Sequence, residues 1–491
     1  SYSLLEQGEQ ILFARLAVFV GGCTLEAVEA VCNSEGDLEI DVLDGVASLV
    51  DKSLLRQVEG LEGEPRFTML ETIREYAVER LGTTGEEAGM RPRHAAYCLG
   101  LVAQAEPAWG TAEEPRWLDQ LDLEQANVRA ALAWSLQGGD VEIGVRLAGA
   151  LAYFWSSRGY ERDAMDWLEQ AVAQGASASA AARARALAWL GLLKAWWGEH
   201  ERAASLANES VALARLAGDQ RVLAEALAFA GSRAANQGDY TQAAALYDES
   251  LGLFRELGDL RGVAGHLGVA GILGCQAVLA HAQGDAKRAT LLAEEALTLK
   301  RRVGNLDGVA RSLNTLGEIA RSQGDLGRAV QLYTQALATY PSNGAYISQS
   351  VVLINLGFVV LRQGDARKAE AYFRQSQAMA QRVNLPADAL CVAGLASVIG
   401  TAGTRVEDAR RAARLLGAAA AHVERSGTKL AQTDRDDIEW AIATVRRKLD
   451  EATWQAAWAE GQAMSLEQAI VYALEPVPGP EQTSPAPQPS R

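Results

Sequence analysis

The stretch Ser312–Leu337, SLNTLGEIARSQGDLGRAVQLYTQAL, decides how the rest of the chain is read. Leu313, Leu316 and Ala320 recur at three- and four-residue steps, which puts them on one stripe of a helix. Ala329, Leu332, Tyr333 and Ala336 form a second such stripe. Between them Gly324-Asp325 breaks the helix, because glycine tolerates positive φ and aspartate caps the helix that follows. Neither helix can bury its stripe alone, so the hairpin needs similar hairpins stacked beside it.

Similar hairpins are present. Leu353, Leu356, Gly357, Gly364, Ala369 and Phe373 repeat the spacings, as do Leu227, Gly231, Gly238, Ala243 and Tyr247. Leu187, Leu190, Gly191, Gly198 and Ala203 do so more weakly. The turn glycines Gly198, Gly238, Gly284, Gly324 and Gly364 are 40, 46, 40 and 40 residues apart. Gly218-Asp219, Gly258-Asp259 and Gly304-Asn305 mark the turns between hairpins. The pattern resembles a tetratricopeptide repeat, which implies a right-handed α-solenoid. The usual period is about 34 residues, so each helix here should carry nearly an extra turn.

At 491 residues the chain exceeds one ordinary core and should be multi-domain or a solenoid. A net charge of −16 disfavours a broad nucleic-acid footprint and an anionic membrane surface. The five cysteines, Cys23, Cys32, Cys98, Cys275 and Cys391, lack metal-ligand spacing and read as reduced, mostly buried thiols. No signal peptide or membrane-spanning apolar run is visible, so a cytoplasmic protein is expected. Five expected parts follow. They are a winged-helix-like domain (1–90), a Trp-rich helical connector with a divergent first repeat (91–180), the repeat superhelix (181–425), capping helices (426–474) and a Pro-rich disordered tail (475–491).

Within residues 1–90, helices are expected over Gly8–Val20, Leu25–Cys32, Asp41–Val50 and Glu71–Leu81, with strands at Ser53–Val58 and Arg66–Leu70. The segments SYSLL, RLAVFVGGCTLEAVEAVC, LVDKSLL, FTMLETIREYAVERL and RHAAY, with WAEGQAMSLEQAIVYAL near the end, together resemble a bacterial STAND-type (NB-ARC-like) signalling ATPase of the LuxR-regulator kind. In that family a P-loop domain precedes the winged helix and tetratricopeptide repeats follow it. The chain starts where that ATPase core would be ending, and it contains no G-x-x-x-x-G-K-[ST]. The expectation is a non-enzymatic regulatory part with no cofactor of its own, ATP or ADP belonging to the absent core. A LuxR-type helix-turn-helix beyond the Pro-rich tail is implied by the resemblance alone.

Several residues stand out as candidates. MLETIREYA, Met69–Ala77, resembles a Met-His-Asp motif with Leu70 at the histidine position and Glu71 at the aspartate position. Leucine has no donor for a phosphate. Glu71 can pair with Arg74 at i, i+3, so the stretch reads either as a nucleotide-state coupling element or as a strand-to-helix junction with an acidic first turn. The helix Asp41–Val50 carries no basic residue and is a poor reader of DNA, so domain packing is expected of it. An aromatic series, Trp109, Trp117, Trp134, Trp155 and Trp167, is expected to be core. The 46-residue interval contains Gly262, Gly265, Gly268, Gly271 and Gly274, every third residue. Matching Gly271 to Gly317 makes this a hinge that adjusts the superhelix or a longer helix with a tight crossing.

The first helix of each pair should line a groove. By register Arg185, Glu225, Ser232, Arg311, Asn314, Glu318 and Arg321 point into it, with Trp196 and Tyr346 as further lining. Convergent arginine and asparagine suit a carboxylate, a phosphate or a peptide backbone, although a solvated helix face has the same pattern. The five histidines show no paired spacing, and no catalytic constellation is present. Two functions are therefore expected. The first is a sensor that takes an inducer small molecule or a peptide or protein partner in the groove and controls the ATPase core of the same protein, with self-association on activation and no direct nucleic-acid or membrane contact. The alternative is a constitutive scaffold that grips a protein partner without switching.

Overall fold

The computed structural model describes residues 2–261, 267–340, 346–382, 388–426 and 430–475. It divides into two compact units, Ser1–Ser312 and Leu313–Arg491. The first unit opens with α1 (Gln7–Arg15), β1 (Cys23–Thr24), α2 (Leu25–Cys32), α3 (Val42–Asp51), β2 (Arg56–Glu59), β3 (Pro65–Thr68) and α4 (Glu71–Thr84). The strands form an antiparallel sheet in the order β1-β3-β2, with Phe67 opposite both Cys23 and Gln57. Leu12, Phe13, Val28, Val31, Leu49, Phe67 and Ala77 fill the core of this winged helix. Thr24 caps α2 through the Ala27 amide, and Asp41 caps α3 through Leu43 and Asp44.

Several element ends differ from the sequence reading. The helix expected over Gly8–Val20 stops at Arg15 and passes through a short 3₁₀ turn, Leu16–Val18, into extended Phe19. The hairpin strands are Arg56–Glu59 and Pro65–Thr68, and Leu70 is the extended residue before α4. β1 was not expected, because two residues carry no readable alternation.

The connector consists of α5 (Glu87–Ala105), α6 (Glu114–Leu136), α7 (Val141–Arg158) and α8 (Glu161–Gln174). Trp109 and Trp155 are buried, while Trp117, Trp134 and Trp167 pack partly buried against the same core. A buried polar clamp holds α6 against the winged helix. Arg66 from β3 pairs with Glu124, both side chains being nearly inaccessible. Asn127 Nδ2 donates to Glu124 (2.6 Å) and to the Gly22 carbonyl (2.8 Å), and its Oδ1 accepts from the Val20 amide at 2.7 Å. Beside the clamp, burial lowers the His94 pKa to about 4, and Phe19 meets its ring edge-on at 5.3 Å.

Helix pairs follow: α9 (Ala180–Trp196) with α10 (His200–Ala217), α11 (Gln220–Asn236) with α12 (Tyr240–Glu256), and α13 (Gly268–Ala282) with α14 (Ala286–Arg302). The division between units falls inside α15 (Leu306–Ser322). The second unit continues with α16 (Leu326–Thr339), α17 (Tyr346–Arg362), α18 (Ala366–Arg382), α19 (Ala389–Ala402), α20 (Val406–Ser426), α21 (Gln432–Arg446), α22 (Glu451–Gln462) and α23 (Leu466–Leu474). The repeat chemistry is visible at each turn. Gly198, Gly238, Gly284, Gly324 and Gly364 have φ between +79° and +93°. Asp239, Asp285 and Asp325 each cap the following helix at 2.9–3.0 Å. A Cβ at Gly231, Gly317 or Gly357 would meet Tyr247, Tyr333 or Phe373 at 2.8, 2.5 and 2.6 Å.

The glycine run does not form the longer helix expected as one of its two readings. Gly262 and Gly265 lie outside the described residues. Gly268 opens α13 with φ +73°, where a side chain would collide with the Arg261 carbonyl. Only Gly271 and Gly274 lie inside the helix, which is 15 residues long against 17 for α11 and α15. Seven residues before each turn glycine stand Gly231, Gly317 and Gly357, but the third pair has Ala277 there, not Gly271. The extra residues therefore precede α13 instead of lengthening it.

Three measurements check this packing. Gly317→Ala and Gly357→Ala should each cost about 1–3 kcal/mol in urea denaturation, because the aromatic ring opposite must shift. Arg66→Ala should cost about 3–5 kcal/mol by stranding the Glu124 carboxylate, and the double variant Arg66→Met with Glu124→Leu should recover most of that. Free histidine titrates near pH 6.5 and His94 near 4, so the unfolded chain takes up the proton first as pH falls. The His94 contribution is complete above pH 6.5 and about 3 kcal/mol is lost between 6.5 and 4. Denaturation of His94→Gln against pH should lack this share of the slope.

Candidate functional site

Within each unit, much of the register carried by the first helices of the pairs is already engaged. In the first unit the covering segment is Glu106–Glu114, which joins α5 to α6. Arg185 on α9 pairs with the Glu106 carboxylate and, at 3.3 Å, with Glu225 on α11. Arg261 donates to the Glu106 carbonyl at 2.7 Å and holds Asp259 at 2.7 Å, and Arg221 reaches the same carboxylate at 2.9 Å. Trp109 is buried with its ring centre 5.2 Å from that of Tyr153 on α7. Tyr153 donates to Glu114 at 2.9 Å. Gly304 approaches so closely that a Cβ there would sit 3.0 Å from Ala112.

The electrostatics follow from this closure. Burial pushes the Glu225 carboxyl above its ordinary pKa despite Arg185 beside it. Burial pushes Asp259 in the same direction, but hydrogen bonds from Arg261 outweigh it and leave that carboxyl below its usual range. Burial also raises Glu114. The expectation that Arg185 and Glu225 line an open groove is therefore corrected: both are engaged within the chain, and Glu225 is only 4% exposed. Ser232 is buried as well, donating to the Ala228 carbonyl and accepting from Tyr247.

In the second unit one expected groove residue, Arg321, reaches α21. Arg321, 7% exposed, reaches Asp434 at 2.8 Å and Asp437 at 3.1 Å, and Arg362 pairs with Asp437 at 2.8 Å. Asn314 donates to Glu318 at 2.9 Å, and Asn355 bridges Asn314 and Glu318 at 3.0 and 3.3 Å. Burial raises the Glu318 pKa, with the Asp434 charge adding to it. Burial opposes the Arg321 charge, but Tyr333, Asp437 and Asp434 outweigh it. Arg321 and Arg362 are thus used to seat a helix that the sequence suggested only as an end cap. Tyr346 lies under the Arg382 guanidinium of α18, 5.7 Å from ring centre to Cζ. Trp196 is 53% exposed at the end of α9, and Arg311 is exposed.

At the winged helix, Glu71 and Arg74 form the expected pair at 2.6 Å, which holds the Glu71 carboxyl below its usual range. They border a recess lined also by Phe19, Gly21, Gly22, Phe67 and Met69. Leu70 is 43% exposed. Sequence reasoning passed over two features: the Glu106–Glu114 segment, which has no periodicity, and Lys300, a buried cation whose position in the repeat was the available signal. Among the described residues no group of histidine, cysteine and carboxylate side chains is arranged to hold a metal, and no helix is long and apolar enough to cross a membrane.

Comparison with known proteins agrees with this architecture. Residues 5–82 match the winged helix-turn-helix domain family and residues 268–342 the tetratricopeptide repeat family. Proteins of Mycobacterium tuberculosis and Mycobacterium bovis, named "Putative HTH-type transcriptional regulator" Rv0890c and Mb0914c, are 38% identical over 232 residues. That stretch is 45% of this chain and 26% of theirs, so the chain matches about a quarter of these relatives. Among solved structures, the Signal Transduction ATPase with Numerous Domains (STAND) protein with a tetratricopeptide repeat sensor, PH0952 from Pyrococcus horikoshii, superposes with a TM-score of 0.57. It shares 14% identity over 96% of this chain and 65% of its own. The Rap protein complexed with Competence and Sporulation Factor gives 0.52 at 12% identity, over 75% of this chain and 99% of its own. The chain is a winged helix-turn-helix domain followed by tetratricopeptide repeats, built like the first of these structures and similar in sequence to the mycobacterial proteins.

Proposed function

We propose that this chain is the sensing and coupling part of a signalling-ATPase transcription regulator of the LuxR kind. An inducer or protein partner binds on the first-helix face, and the winged helix passes the event to an ATPase core of the same protein, which binds ATP or ADP. Activation then favours self-association. The names of the mycobacterial relatives and the fold of the Pyrococcus horikoshii protein support this reading. A Rap protein of similar fold in complex with Competence and Sporulation Factor supports a peptide or protein as the bound partner.

The observation that carries the proposal is the course of Glu106–Glu114. It lies on side chains of α7, α9 and the α12–α13 connection and runs directly into α6, which the Arg66–Glu124–Asn127 clamp fastens to the wing. A partner that displaces the segment therefore acts on the winged helix through contiguous packed groups, a two-state element that both ends bias. α3 exposes Asp44 and Asp51 and contains no lysine or arginine, so the winged helix serves here as a packing module and not as a reader of DNA. Glu71 and Arg74, beside the recess, are the residues that face the core in this scheme.

Hydrogen exchange of a variant with Glu106→Gln and Arg261→Gln tests the coupling. Amides of Glu106–Glu114, of the first turns of α6 and of β3 should all exchange at least about tenfold faster, each factor of ten corresponding to 1.4 kcal/mol of lost protection. Faster exchange in the segment alone, with α6 and β3 unchanged, would overturn the coupling and favour the constitutive scaffold.

A further inference from the structure

In the third helix pair a lysine stands where the fold calls for an apolar side chain. Sixteen residues past the successive turn glycines stand Ala214, Phe254, Lys300, Tyr340 and Ala380, and all five are buried. Ser312, whose hydroxyl is 3.1 Å from Lys300 Nζ, breaks a second such series. Twelve residues before the turn glycines the other first helices have Ala186, Ala226, Ile272 and Val352, again all buried. Two facing apolar positions have thus been replaced by an ammonium and a hydroxyl. Among the described residues no carboxylate pairs with Lys300, which is 3% exposed. A buried charge without a counter-charge is expensive. Burial, with Arg311 adding to it, lowers the lysine pKa to about 8, although the Asp307 charge opposes this.

The same place is short of side chains. Thirteen residues before the turn glycines the first helices carry Arg185, Glu225, Gly271, Arg311 and Val351. Arg185 and Glu225 are paired, whereas Gly271 brings no side chain to the position before Arg311. A Cβ at Gly274 would lie 3.3 Å from Lys300 Nζ, and Gly274 and Cys275 are only partly buried, so the ammonium packs against a glycine close to the surface. Both cations act on the Cys275 thiol, which burial otherwise pushes up. Arg311 is exposed and has a partner of its own, but a guanidinium has five N–H donors to share.

We propose that Lys300, Ser312 and Arg311 form a binding site for a compact oxyanion, the carboxylate or phosphate group of the molecule received on the first-helix face. The inference rests on that face being a receiving surface and names the chemistry it selects. The ammonium, the hydroxyl and the guanidinium supply charge-assisted donors to such a group.

Thermal denaturation of the 491-residue chain tests this in inorganic phosphate, in acetate and in chloride at matched ionic strength. Phosphate or acetate should raise Tm saturably beyond chloride, and the arm that does so identifies the group. Lys300→Met should raise Tm without the anion and abolish the increment. Arg311→Gln, at an exposed position, should fold normally and weaken the anion by about tenfold. An increment that chloride reproduces, or that survives Lys300→Met, would overturn the site. Should Lys300→Met not fold, the nitrogen resonance of the Lys300 side chain must move on adding the effective anion to the unaltered chain, and a stationary signal overturns the site equally. Failure here leaves the exchange coupling at Glu106–Glu114 intact, whereas loss of that coupling with anion binding retained overturns only the broader reading.

Discussion

Every helix pair in this chain has an apolar stripe that only its neighbours can cover. Close approach is what makes that cover tight: Gly231, Gly317 and Gly357 give up their side chains so that Tyr247, Tyr333 and Phe373 can lie against the backbone. Each ring is at most 3% exposed, so each pair locks its own hairpin while its outer stripe waits for the next. The third pair lacks this lock, having Ala277 and Ala293 in its place. It is the pair that opens with Gly268 in the left-handed region and buries Lys300.

The same need for cover explains why the binding register is so heavily occupied. A row of polar side chains facing a concave surface must be solvated, paired or covered. Here pairing prevails: Arg185 is engaged by Glu106 and by Glu225, and Arg321 by Asp434 and Asp437. A buried pair of this kind adds little net stability, since desolvation consumes most of the attraction, but separating it is costly. Such contacts hold one arrangement firmly.

The repeat was legible because it is local. Turn glycines, aspartate caps and small residues at fixed offsets each follow from contacts within some twenty residues, and the structure has Gly324 in the left-handed region and Asp325 capping as their types require. The winged helix was legible for the same reason, apart from ends such as Arg15, where a 3₁₀ turn replaces the last helical turn. Residues assigned to the groove were legible as a register but not as a surface. Nothing in the local pattern announces that Glu106 will lie on Arg185, 79 positions away, or that Asp437 will reach Arg321 across 116. Lys300 was hidden differently. A lysine on an amphipathic helix reads as solvated, and only its alignment with Phe254 and Tyr340 shows that it points inward.

The clamp around Glu124 has a consequence for how such proteins are assembled from parts. By chain order the winged helix ends at Thr84, yet part of its interior is supplied by α6: Asn127 satisfies Val20 and Gly22, and Glu124 neutralises Arg66. Cut out at its apparent border, the module would carry an uncompensated guanidinium and bare backbone groups on a face meant to be dry. The piece that keeps this face dry therefore extends through α6 to Leu136.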